Sequence, residues 1–239
     1  MREKDETWVE GDDDEVMDEL DFDEFSSHFR GLTRAKLLFT TSRNPGRKMW
    51  PILKDIMAVF PSTKYAKRRK HNVKAMVKSA IAKNFTHLVI LQEKSNKPVG
   101  LYVIHLPTGP TAYFALTSYV PADEIPGSGV MTKHRPEVIL NNFSTRLGVT
   151  VGRLLGSMLP VDPEFNGRRV VTFHNQRDFI FFRHHRYIFE DAESVRTQEL
   201  GPRFTLRLRW LQAGTFDTKH GEFEWMYKKQ HKGRKIFVL

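Results

Sequence analysis

Within residues 201–211, GPRFTLRLRWL, positions 203–210 alternate without a break. Phe204, Leu206, Leu208 and Trp210 interleave with Arg203, Thr205, Arg207 and Arg209. Side chains of a strand point alternately to its two faces, so this stretch reads as a β-strand with one apolar and one cationic face. The apolar face needs a second layer of structure to cover it, and the arginine face needs water or an anion. A second segment, HNQRDFIFFRHHRYIF (174–189), repeats the mixture: Arg177, Arg183, His184, His185 and Arg186 stand among Phe179, Phe181, Phe182, Tyr187 and Phe189. Most of these rings must be core, because so many exposed aromatics would aggregate. The charged heads are then left to face outward.

Around these segments the pattern is α/β. KLLFTTS (36–42) is a β-rich run, and GRKMWPILKDIMAVF (46–60) has helical spacing at Met49, Ile52, Leu53, Ile56 and Val59. Pro51 suits the first helical turn and Pro61 ends it. TKYAKRRK (63–70) is a short, very basic strand or loop. NVKAMVKSAIAKN (72–84) predicts a second helix with Val73, Met76, Val77, Ala80 and Ile81 on one face, and THLVILQEK with VGLYVIHLP predicts a hairpin across SNKP. The order then recurs. EVILNNFSTRLGVTVGRLLGSMLP echoes the first strand and helix, and RRVVTFHNQRDFIFFRHHRYIF echoes the hairpin. This predicts an α/β fold of two pseudo-repeated halves, about 33–110 and 111–227, with mixed and antiparallel sheets. The second half lacks a clear equivalent of helix 72–84.

The net charge of +10 is unevenly spread. Residues 1–29 hold 13 acidic against 2 basic residues, leaving 36 basic and 15 acidic in the remainder. The acidic segment is expected to be a disordered arm, since high charge leaves little apolar burial to offset ordering entropy. Val16, Met17, Leu20, Phe22 and Phe25 would let it dock on a basic partner or fold back on its own domain. The basic body (30–239) is a candidate polyanion binder. Beyond the strand arginines, its clusters are Lys67, Arg68, Arg69 and Lys70, then Arg168 and Arg169. A last cluster, Lys228, Lys229, Lys232, Arg234 and Lys235, lies in a basic tail (228–239). Arginine forks onto phosphate and stacks on unpaired bases, whereas lysine meets phosphate as a point charge. The apolar IFVL after the last cluster suggests a final strand or an anchored tail.

Signs of catalysis are lacking. There is no cysteine, no GxxxxGK[ST] loop, no HExxH spacing and no obvious carboxylate pair. The glycines of IPGSGVMTKH (125–134) follow no apolar strand and read as a surface loop. Asp178 reads as a turn-former. No cofactor, no metal site and no enzymatic activity are expected. No apolar run reaches the ~18–20 residues that span a bilayer, so no membrane partner is expected. The acidic N-terminus resembles neither a secretory signal nor a transit peptide. Two non-enzymatic readings stay open, an RNA binder and a basic adaptor that grips an acidic protein.

Five blocks together carry a resemblance: KLLFTTSRNPGR, IHLPTGPTAYF (104–114), ILNNFSTRLG (139–148), VTFHNQRDFIFFRHHRYIF and ELGPRFTLRLRWLQAGTFD. In this order, over about residues 33–239, they resemble the Brix domain family, and the last block resembles its sigma-70-like motif. The resemblance implies two fused copies of an anticodon-binding-like α/β fold. It also implies a non-enzymatic ribosome assembly factor that binds precursor ribosomal RNA in the nucleolus of the nucleus. The blocks are most similar to the large-subunit (60S) branch, whose dedicated partner would be maintenance-of-killer protein sixteen; the small-subunit branch is the alternative. Arg203, Arg207 and Arg209 lie in the matching final motif, and Arg177, Arg183, His184 and Arg186 in the matching hairpin. The acidic arm falls outside the resemblance.

Overall fold

The structure, a computed structural model, describes residues 21–191, 194–217, 221–228 and 237–239. Its first strand, β1 (Leu37–Thr41), is buried at every position and lies parallel to both neighbours, β2 (Thr63–Tyr65) and β3 (His87–Lys94). Helix α2 (Met49–Val59) makes the crossover from β1 to β2, with Pro51 in its first turn. Helix α3 (Val73–Ala82) makes the crossover from β2 to β3, and the Asn72 side chain caps it by accepting from Ala75 N at 2.8 Å. Antiparallel strands β4 (Lys97–His105) and β5 (Thr111–Val120) complete a β1-β3-β4-β5 order.

The second unit repeats that order. β6 (Glu137–Asn141) leads through helix α4 (Arg146–Gly156) to a parallel β7 (Arg169–Gln176), followed by antiparallel β8 (Phe179–Phe189) and β10 (Arg203–Gln212). β9 (Val195–Glu199) pairs with the far end of β8, and β11 (Phe223–Met226) with β10. β5 and β10 pair antiparallel, which joins the units into one sheet ordered β2-β1-β3-β4-β5-β10-β8-β7-β6. By strand order the first unit therefore runs through β5, to residue 120.

The two faces of this sheet differ. On one, α2 and α4 cover both units with a single core. It includes Phe39, Val89 and Val103 from the first unit, Phe114 at the junction, and Phe173, Phe182, Phe204 and Leu206 from the second. Gly148, Gly152 and Gly156 of α4 let Leu239, Phe143 and Phe29 come close; a Cβ on Gly148 would sit 2.8 Å from the backbone of Leu239. On the other face, α3 covers only the first unit, with Val73, Met76, Val77 and Ala80 on Leu38, Leu88, Ile90 and Ile104. Ile81 lies at the rim of that contact. No helix among the described residues covers this face of the second unit.

Several expectations need correction. Residues 21–29 do not behave as a free arm. A short helix, α1 (Ser26–Phe29), follows Phe25, which is buried in the main core, and Asp23 grips Arg153 of α4 at 2.5 and 2.8 Å. An apolar anchor and a partly buried ion pair supply what the acidic composition could not. Residues 1–20 lie outside the described residues. Asp178 accepts from Val238 N and Leu239 N, and Thr145 donates to Val238 O, so residues 237–239 take the anchored form of the two expected; Ile236 lies outside the described residues.

Arg169 and His184 were both candidates for RNA contact, and both are buried. They sit on the core side of β7 and β8, where chain parity with Phe173 and Phe182 places them. The Arg169 guanidinium donates to the carbonyls of Thr132, His134 and Val59 and to His184 Nε2. An arginine can only donate, so Nε2 accepts, and Nδ1 carries the proton toward Gly201 O at 2.9 Å. Burial, and then the adjacent Arg169 charge, push the His184 pKa down to about 4. Burial also lowers His28, His87 and His105.

Two predictions follow from this packing. Phe25→Ala, which empties a fully buried ring site, lowers unfolding free energy by about 3–5 kcal/mol in urea titrations, whereas deleting residues 1–20 leaves it within about 1 kcal/mol. The second concerns pH. The unfolded histidines protonate near 6.5 while the native ones resist, so the unfolded state gains protons first as pH falls. Stability is therefore complete above pH 6.5 and declines toward pH 4, with His184 alone contributing up to about 3 kcal/mol. A urea midpoint that stays flat from pH 7 to pH 4.5 would contradict neutral buried histidines.

Candidate nucleic-acid interface

The face left bare by the missing helix carries the outward parity of β7, β8 and β10. On β8 these are Phe179, Phe181 and Arg183; on β10, Arg203, Thr205 and Arg207; on β7, Thr172 and His174 opposite Arg183 and Phe181. The Arg207 guanidinium lies between two rings, 4.8 Å from the centroid of Phe179 and 4.9 Å from that of Tyr227. Arg209 lies 4.9 Å from the same Tyr227 ring. Arg183 lies 6.0 Å from Phe181 and donates to Phe182 O. Cation–π contacts hold such groups as flat plates without neutralising them.

A bulge redirects the end of β10. Strict alternation would put Trp210 in the core with Leu208. The register instead shifts between Leu208 and Trp210, so Leu211 takes the core position and Trp210 turns to the bare face. There it meets Tyr102, Tyr113 and Phe223 at 5.8, 5.8 and 5.5 Å, and Tyr102 stacks on Tyr113 at 4.4 Å. Burial raises the pKa of both phenols, keeping them neutral hydrogen-bonding groups. Arg68, in the loop after β2, acts electrostatically on Tyr102. The result is an aromatic and cationic stripe from Arg68 across Tyr102, Tyr113 and Trp210 to Arg209, Arg207 and Arg183. None of its four arginines has a carboxylate at ion-pair distance among the described residues. Such a surface can fork onto phosphates and stack on unpaired bases.

The other nominated residues fall elsewhere. Arg203 shares the face but is engaged, donating through Nε and Nη2 to both oxygens of Glu199 at 2.6 Å; these bonds hold the Glu199 carboxyl below its usual range. Arg186 has the opposite parity from Arg183 and reaches Val130 O at the helical side. Arg177, at the β7–β8 turn, and Arg168, before β7, are exposed in left-handed backbone with φ of 53° and 48°. Lys67, Arg69 and Lys70 are exposed in the loop with Arg68, and Lys228 is exposed after β11. Lys229, Lys232, Arg234 and Lys235 lie outside the described residues. The rings Tyr102, Tyr113, Phe223 and Tyr227 went unnominated. Their signal in the sequence is faint: Tyr102 stands among aliphatic residues in β4, Tyr113 beside Phe114 in β5, and Phe223 and Tyr227 at alternate positions about Trp225.

Among the described residues no group of three or more His, Asp or Glu side chains is placed to hold a metal ion. Among the described residues no helix is long and apolar enough to cross a membrane.

Comparison with known proteins adds four findings. The chain is 49% identical to a probable ribosome production factor 1 of Drosophila melanogaster over its whole length, and spans 63% of that relative. It is 48% identical to ribosome production factor 1 of Danio rerio, over 94% of this chain and 68% of the relative. A crystal structure of a probable ribosomal biogenesis protein from Aeropyrum pernix superposes with a TM-score of 0.52 at 15% identity, covering 81% of this chain and 99% of the other, and thus shares the fold. The sequence profile of the Brix domain matches residues 42–210. The chain belongs to the Brix domain family.

Proposed function

We propose that this chain serves ribosome biogenesis as a non-catalytic factor, and that the bare sheet face of its second unit holds precursor ribosomal RNA. The names of its close relatives support the process. One observation supports RNA as the ligand: guanidinium groups without carboxylate partners, held against aromatic rings on an uncovered sheet face. The site offers flat surfaces and charge, and among the described residues no cluster of carboxylates and imidazoles placed for metal binding, which suits recognition better than bond breaking. Early large-subunit (60S) particles in the nucleolus are the assigned setting. Maintenance-of-killer protein sixteen is the assigned protein partner, as the family branch implies.

The reading predicts an ordering of variants. Arg183→Glu, Arg207→Glu and Arg209→Glu combined leave the unfolding midpoint near that of wild type, since these side chains lie outside the core. The same variant loses at least about tenfold of its affinity for RNA and its retention on pre-ribosomal particles. Arg203→Gln, whose charge Glu199 already offsets, weakens binding far less than Arg207→Gln. Normal particle retention by the folded triple variant would remove this face from the reading. Retention of the wild type that survives nuclease would favour the adaptor that grips an acidic protein.

A further inference from the structure

The stripe ends at the loop carrying Arg68, but the cationic surface does not. On the same face of the sheet, beyond α3, a groove of about 660 Å³ opens between that helix and the edge strands β1 and β2. Lys36, Lys64, Lys67 and Lys83 stand around it, and its floor is Leu38, Met76 and Phe85. No acidic residue lines it, and none of the four lysines has a carboxylate partner among the described residues. Lys36 is braced in place, its Nζ donating to Lys83 O at 2.8 Å and lying 4.6 Å from the Phe85 ring centroid.

The loop between β2 and α3 connects the two surfaces. Lys67 lines the groove, while its neighbour Arg68 addresses Tyr102 at the start of the stripe. The loop runs past the N-terminal end of α3, whose first turn holds no acidic residue. From β2 to β8 the path crosses six strand spacings, about 29 Å at the usual interstrand distance. The carboxylate of Asp217 stands at the start of α3, where Lys74 of the helix's first turn pairs it at 2.9 Å.

We propose that the lysine groove is a second RNA-binding site, continuous with the stripe, in which lysines track phosphates of one single strand that passes round the start of α3. This rests on the proposed RNA-binding role of the stripe and lengthens the site into the first unit. The groove would supply affinity with little sequence choice, because its cations are point charges, while the stripe supplies the stacking surfaces.

The test uses the full chain and a fluorescent 20-nucleotide oligouridylate, titrated over a range of salt. Each phosphate contact on a single strand contributes about 0.7 to the slope of log affinity against log salt. Lys64→Gln, Lys67→Gln and Lys83→Gln combined should therefore reduce the slope by about 2 and weaken binding about tenfold at physiological salt. The corresponding three Lys→Arg changes should restore both. All three side chains are exposed, and an unchanged urea midpoint checks the fold. An unaltered slope in a protein whose binding still responds to Arg207→Gln would overturn the groove and leave the stripe standing. Absence of oligouridylate binding by the wild type would overturn the RNA reading itself. Crosslinks from the groove lysines to carboxylates of residues 1–20, with RNA binding unchanged by the variant, would assign the groove to an acidic peptide and overturn the proposal.

Discussion

Everything distinctive about this surface depends on the pairing of β5 with β10. Each is the outer strand of its unit on the facing side, and each would be an open edge alone, with unpaired backbone groups inviting aggregation. Pairing them satisfies those groups and turns two small sheets into one. The core under α2 and α4 then runs unbroken from Phe39 through Phe114 to Phe182. On the opposite face the same pairing sets Tyr102 and Tyr113 of the first unit beside Trp210 of the second. The aromatic stripe exists only because the junction is in register.

The asymmetry between units decides which part of that face is exposed. In the first unit α3 buries Leu38, Leu88, Ile90 and Ile104. The same face of the second unit carries Thr172, Phe181, Arg183, Thr205 and Arg207, a set that no helix could cover without burying unpaired cations at high cost. Water therefore reaches the sheet there. Phe179, at the margin, is 37% exposed. The Arg207 guanidinium covers part of its ring, which lessens the cost of showing an aromatic to solvent while keeping the charge available.

Much of this was legible in the sequence, for reasons that can be named. The repeat of strand, helix and hairpin was visible because periodicity survives divergence: a buried strand must stay apolar whichever apolar residue it uses. The absence of a second α3 was visible too, and it is what bares the interface. Arg183 and Arg207 were placed on the outward face by simple alternation. Trp210 was not, because one bulge reverses parity beyond Leu208 and leaves no mark in residue type. Arg169 and His184 misled for a related reason. Charge normally implies exposure, but here three backbone carbonyls and a neutral imidazole replace water around one guanidinium. Phe25 is legible as an apolar residue able to fold the arm back on its domain, but its site in the core, 5.0 Å from the His105 ring, is set by the tertiary structure.

By itself the sequence determined the alternation of α and β, the doubled unit, the split of charge between the first residues and the body, and the want of catalytic or metal-binding spacing. These are one-dimensional facts, carried by periodicity and composition. The tertiary structure decided which arginines remain available, since that depends on partners the strand pattern does not name. Arg169 finds carbonyls at residues 59, 132 and 134, and Arg207 finds Phe179 and Tyr227. A cation's availability belongs to its surroundings, and folding assembles those from distant parts of the chain.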